Sequence, residues 1–511
     1  MMKKMILLSL VTATTLAFGS TQSDIDDLQK QIDRLKKKVS KNNAQSANDN
    51  IKWSVDLRTS LDNINYDMAN GTTKGNDSLM SMRLWLNMAY APDSKNIFKG
   101  QLSYNKAFGA DFGTTSSMMP RGYGMDTFDW VTNEALTGNS IGLRYAYWLY
   151  MGDDLFGQGV DWTFSVGRRP SVNGFLASLA QDDKPASPLG HIINVEFDGA
   201  SAKIDLSKWT GIDGMSFKIC AGQGSTNAEP LFSTTSTYAE DTDALDGVSL
   251  VGFIFVPYDD GQFIVETNYF QAFSLPGMDI DMESGEQLGF KQYGDMEGAA
   301  LSVLVDGLTE DGILSETKLF GSFAWSNTMP DDGQAMLGSL DDESGTSYWF
   351  GAYLPVGEDA KYGTIGAEYN HGSEYWRPFT YAEDTMIGSK LAARGDAFEI
   401  NYTYQLTKAL SLQARYVSID YDYTGSNGFF GNTSGASMKI DDVKAGANAW
   451  SAMGGTQDPA SAKAVVGNLM AGGMSQAEAE AQARGMGRAA SFLPNIVESS
   501  QDFRFYIRYR F

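Results

Sequence analysis

The chain has one cysteine, Cys220, and two histidines, His191 and His371, in 511 residues. A single thiol cannot close an internal disulfide or build a cysteine-rich metal site, and two imidazoles leave little room for histidine chemistry. Basic residues are also scarce, 39 against 63 acidic ones for a net charge of −24, so the average surface repels nucleic acid. Beyond the first nineteen residues there is no run of 18 or more apolar residues, so no helix is expected to cross a membrane. No phosphate loop, zinc motif or haem-attachment motif occurs, and no cofactor is expected. His371 stands near Ser373 and Glu374, but a lone cluster of this kind arises easily, and the chain is not expected to be an enzyme.

What is present begins with Lys3 and Lys4 ahead of an apolar stretch from Met5 to Phe18, and the small residues around Gly19 fit a signal-peptidase site. Residues 1–19 are expected to be a signal peptide, with Ser20 where a lipoprotein would need cysteine. Ile25, Leu28, Ile32, Leu35 and Val39 then mark a helix with an a/d seam. Residues 20–50 therefore read as a short coiled coil that helps subunits associate, or as an amphipathic stub on a barrel rim, followed by a polar linker.

From Ile51 the period becomes two. Ile51, Trp53, Val55, Leu57, Thr59 and Leu61 alternate with Lys52, Ser54, Asp56, Arg58 and Ser60. Leu84 and Met88 share one face of the next such segment, opposite Arg83. Tyr145 and Tyr147 fall on the apolar face of 141–151, opposite Arg144. In 161–169, Trp162, Phe164 and Val166 alternate with Ser165 and lead to Arg169. Segments about eleven residues long with one apolar face suit tilted strands across a bilayer, and inward charge is tolerable if the inside is wet. Sixteen such segments lie between 51 and 511, joined by alternately long and short connections. The expected fold is all-β and transmembrane, a closed antiparallel up-and-down barrel of about 16 strands, with short periplasmic turns and long external loops. Trp53, Trp85, Trp148, Trp162, Trp209, Trp325 and Trp349 are read as interfacial rims.

The chain ends with Phe503, Phe505, Ile507, Tyr509 and Phe511 at alternate positions. This resembles the terminal strand that barrel-assembly machinery reads, with Phe511, Tyr509 and Ile507 as its signal. Residues 366–376, Gly-Ala-Glu-Tyr-Asn-His-Gly-Ser-Glu-Tyr-Trp, followed by Lys390 and Arg394-Gly395, together with the leader, short coiled coil and terminal strand, resemble an uncharacterised porin-like family of outer-membrane barrels. The resemblance implies a barrel and carries no substrate or catalytic residue.

Function then rests on the lumen. Arg58, Arg83, Arg144, Arg169, Arg415, Arg504 and Arg508 point inward on these registers, and closure brings Arg504, Arg508, Arg58 and Arg83 onto one wall. Asp182 and Asp183 in the third external loop are expected opposite that wall, giving a constriction with a transverse field. The competing reading pairs the arginines with Asp56, Asp205 or Glu399. Three external loops, 223–245, 273–296 and 327–346, hold fourteen acidic residues and one basic residue, Lys291. They either bridge to lipopolysaccharide through divalent cations or form a solvated anionic surface. A calcium loop at Asp279 fails because its twelfth position is Phe290. In the loop 423–500, Asp458-Pro459 and the Ser475/Glu478 capping box predict two short helices joined by Gly472-Gly473, the second ending at Gly485. They would cap the pore or project from it. The expectation is an outer-membrane porin of a Gram-negative cell, a homotrimer passing small polar or ionic solutes. The alternative is a non-conducting adhesin or structural barrel.

Overall fold

A computed structural model describes residues 51–108, 141–169, 173–226, 228–229, 240–241, 246–280, 287–380, 385–426 and 435–511. The expected signal peptide and coiled-coil segment lie outside these residues.

Sixteen strands form a closed antiparallel barrel. The first eight are β1 (Lys52–Met68), β2 (Thr73–Tyr90), β3 (Asn96–Ala107), β4 (Gly142–Gly152), β5 (Trp162–Arg169), β6 (Phe197–Asp205), β7 (Ser216–Gln223) and β8 (Ser249–Asp259). The others are β9 (Phe263–Ile280), β10 (Gln287–Asp306), β11 (Lys318–Pro330), β12 (Glu343–Pro355), β13 (Thr364–Gly372), β14 (Gly395–Gln405), β15 (Leu410–Tyr421) and β16 (Val497–Arg510). Every strand pairs with its neighbour in sequence, and β1 closes on β16 from Asp56↔Arg510 to Met68↔Val497. Closure satisfies the main-chain groups that an open edge would leave bare in hydrocarbon.

The alternation of the sequence becomes the two faces of this wall. Outward side chains such as Trp53, Leu301, Phe323 and Phe505 are exposed, whereas Asp56, Arg58, Ser60 and Asp62 of β1 are buried inside. An exposed apolar belt on a closed barrel, with charge turned inward, is the pattern of a barrel in lipid.

Three expectations are corrected. Trp85 and Trp349 are not rim residues; both point inward and are buried. On β4 the pairing shifts between Gln101 and Leu102 of β3, so that Gln101 faces Tyr145 while Leu102 faces Leu143 and Arg144 is the extra residue. A bulge of this kind reverses the facing of the residues beyond it. Tyr145 thus reaches the inward Asn87, and Tyr147 lies under the Arg169 guanidinium, instead of both facing lipid. The expected loop 273–296 is largely a continuation of strands, with β9 running on to Ile280 and β10 starting at Gln287, and β1 and β2 likewise meet through a short turn after Met68. The pairing shifts register within these extensions, between Asp62 and Ile64 of β1 and between Ala272 and Leu275 of β9.

The connection after β15 holds three helices, α1 (Ile440–Ala452), α2 (Ala462–Ala471) and α3 (Gln476–Phe492). The Ser475/Glu478 capping box is formed at the start of α3. The helix does not stop at Gly485 and continues to Phe492, because Ala479, Ala483 and Met486 pack in one apolar cluster with Trp450, Val465 and Leu469. The first helix was not expected.

Leu301 marks the middle of the apolar belt. Leu301→Arg should lower stability in lipid vesicles by about 2–4 kcal/mol, read from urea unfolding.

Candidate functional site: the lumen

The lumen has two unlike halves. Along β8–β13 it is occupied by an apolar cluster. Phe270, Ala272, Leu275 and Met296 of the wall pack with Trp349 and Tyr353, and two inserted loops complete the cluster. The connection between β5 and β6 supplies Leu176, Leu189, Ile192 and Val195, and the connection between β13 and β14 supplies Trp376, Phe379 and Leu391. Glycines make room for the second insertion. A Cβ on Gly345 would stand 2.1 Å from the Trp376 nitrogen, and one on Gly372 would stand 2.6 Å from the Trp376 ring. At the centre His191 is fully buried, with Nδ1 2.8 Å from Ser322 Oγ and Nε2 2.9 Å from Ser347 Oγ. Trp349 and Trp376 flank its ring edge-on.

The other half is charged. Arg58 lies directly across from Arg83 of β2 and from Arg508 of β16, so the expected wall is assembled by register alone. Like charges at facing positions repel, and carboxylates interleave with them. Arg508 Nε donates to Asp56 at 2.9 Å, and Arg83 lies 3.9 Å from the same carboxylate. Arg504 is paired with Asp62. Arg415 donates to Glu399 at 2.7 Å. Lys390, on the second inserted loop, bridges Glu368 and Glu399. Burial alone would push its amine down, but the two carboxylates outweigh this and hold its pKa above the ordinary lysine value. Arg144 donates to Glu196 and to Gln101, each at 3.0 Å. Arg83 and Arg144 both stack on Trp85, 3.5 and 4.0 Å from its ring centre. Arg58 lies over the Tyr506 ring. Asp205 takes no part in this set; it accepts from the Ser207 amide at a turn.

The loop that carries Asp182 and Asp183 does not stand across a gap from the arginines; it is bonded to them. Asp183 Oδ1 accepts from Arg508 and from Arg510, each at 2.9 Å. The Asp182 carbonyl accepts from Arg510 at 3.0 Å, with its carboxylate 3.6 Å from that guanidinium. Arg508 also reaches the Gln181 carbonyl, and Arg83 the Gln181 side chain. Asp182 adopts a left-handed φ of 51°, which turns the loop at this contact. None of Arg58, Arg83, Arg144, Arg169, Arg504 and Arg508 is more than 7% exposed, so no wide aqueous bore passes at their level.

Of the remaining sequence candidates, Tyr509 and Phe511 of the terminal strand pack together and, with Ile507, face outward. His371 Nδ1 pairs with Asp396 at 2.8 Å, while Ser373 Oγ accepts from the Thr346 amide. No hydrogen bond joins this histidine and serine among the described residues. No group of three or more metal-ligating side chains occurs among the described residues either. Sequence reasoning missed Gln181, Glu196 and His191, which no spacing or motif marks out.

Fold and lumen together define a porin-like β-barrel, an outer-membrane barrel class with inward loops. The chain belongs to the family described as protein of unknown function (DUF3373), which it matches over residues 73–460. No curated protein is significantly similar to it. Among solved structures, it resembles the anion-selective porin from Comamonas acidovorans with 12% identity, covering 90% of this chain and 99% of that one at a TM-score of 0.44. Pseudomonas putida OprB gives 11% identity, 90% and 94% coverage and a TM-score of 0.44. Salmonella typhi OmpF gives 11% identity, 89% and 97% coverage and a TM-score of 0.40.

Burial pushes the His191 pKa down from 6.5 to about 3, so the folded protein holds the ring neutral. Stability from this group is complete above the ordinary pKa and falls as pH drops from about 6.5 toward 3. At about pH 4.5 the loss should be roughly 2–3 kcal/mol. In His191→Gln this component should vanish, so thermal unfolding of the variant in detergent should vary less between pH 7 and 4.5 than that of the wild type.

Proposed function

We propose that the protein is an outer-membrane porin of a Gram-negative cell, passing small polar or ionic solutes by passive diffusion along the charged half of its lumen. The observation that carries this reading is the inward sheet of arginines and carboxylates over β14–β16 and β1–β5. Burying that many ionised groups is costly unless they are paired, and the chain of arginine–carboxylate pairs offers a solute polar partners along this wall. The constriction is the contact of Asp182 and Asp183 with Arg508 and Arg510, flanked by Arg83. The end bearing Phe511 faces the periplasm and presents the assembly signal, and the helical connection lies outside. The outer belt contacts lipid, the acidic loops meet lipopolysaccharide or solvent, and subunits associate as a homotrimer.

A second reading, a non-conducting barrel with a structural or adhesive role, draws on one observation: the inserted loops fill one half of the lumen and touch the wall of the other. Planar-bilayer recording separates the two. The porin reading predicts discrete conductance steps with a preference for anions, shifted toward cations in Arg83→Ala with Arg504→Ala. Unchanged selectivity in that double variant removes the arginine wall as the filter, and silence of the wild-type protein favours the second reading.

A further inference from the structure

Under the first inserted loop, the wall from β5 to β9 leaves a small, partly open cleft. Its sides are apolar, with Ile193, Phe197, Leu250 and Ile254, and its polar groups are few: Arg169, Lys218 and Asn268. A concave apolar lining with a small number of placed polar groups is the usual build of a small-molecule site.

The polar groups are unlike the rest of the lumen. Arg508, Arg415 and Arg144 each hold a carboxylate. Arg169 instead donates to the hydroxyls of Ser165 and Ser201 and lies 4.9 Å from the Tyr147 ring, with no carboxylate paired to it among the described residues. Lys203 and Lys218 stand directly opposite each other on β6 and β7. Glu266 is a carboxylate beside them. Asn268 is 3% exposed; its Oδ1 accepts from the Leu189 amide of the inserted loop, and its Nδ2 has no partner among the described residues. A buried donor without an acceptor is rare in folded proteins and marks a place where something else accepts.

We infer that this cleft binds a small organic monocarboxylate, with Arg169 and Lys218 supplying charge, Asn268 Nδ2 a directional hydrogen bond, and Phe197, Leu250 and Ile254 the surface for an apolar body. The carboxylate gives the Arg169 guanidinium the charged partner that two hydroxyls do not provide. Such a site does not require the barrel to conduct.

Benzoate is the probe, titrated calorimetrically into the full chain refolded in detergent micelles, with benzamide and inorganic phosphate as comparisons. Cys220 lines the same cleft and is the chain's one cysteine, so its rate of alkylation gives a second readout. Saturable benzoate binding is expected, with slower Cys220 alkylation and benzamide weaker by about tenfold or more. Arg169→Gln should lose affinity by a similar factor, and Arg169→Lys should recover part of it. Equal binding of benzoate and benzamide would reduce the site to an apolar groove, and phosphate binding as tight as benzoate would reduce it to an inorganic-anion site. Either result overturns the proposal, as does unprotected Cys220. If Arg169→Gln fails to fold, the comparison of benzoate with benzamide on the wild type still decides. Failure of conductance leaves these outcomes untouched.

Discussion

Hydrocarbon offers no hydrogen-bond partner to a peptide group, and the whole architecture answers to that constraint. Sixteen strands must close on themselves, and the seam between β1 and β16 is where closure is achieved. Closure fixes parity: once Leu57 and Phe505 face lipid, Arg58 and Arg504 have no other place than the interior. The charge inside is therefore a consequence of the wall as much as a provision for solutes. The interleaved carboxylates keep it tolerable.

A barrel this wide cannot be filled by its own wall side chains, and among the described residues two connections enter it instead. One half of the interior is packed as a soluble protein packs its core, around a neutral histidine held between Trp349 and Trp376. The other half remains polar, and the inserted loop is tied to it through Gln181 and Asp183. Apolar packing thus positions the loop, and ion pairs fix where its acidic tip lies.

Strand number, strand order and the inward set of arginines were legible because period two is a local property, repeated sixteen times with connections of alternating length. It failed where one residue broke the count. The bulge at Arg144 turned Tyr145 and Tyr147 from lipid to lumen, and no residue type announces it. Trp85 and Trp349 misled for a related reason, since an indole suits an interface but also stacks on a guanidinium or closes a core. The inserted loops were illegible altogether. Leu189, Ile192, Trp376 and Leu391 are buried by contacts across the barrel and carry no periodicity along the chain. Asp182 and Asp183 were found as loop acids, but their bonding to Arg508 and Arg510 depends on a left-handed turn that the sequence leaves open.

Arg508 touches three parts of the chain at once: its own strand β16, Asp56 on β1, and the Asp183 tip of the inserted loop. Strand β16 thereby supplies a fastening for a segment 325 residues earlier in the chain. The loop braces the seam between β16 and β1 from within. One guanidinium thus serves both the closure of the cylinder and the seat of its contents, so the seam and the inserted loop are mechanically a single joint.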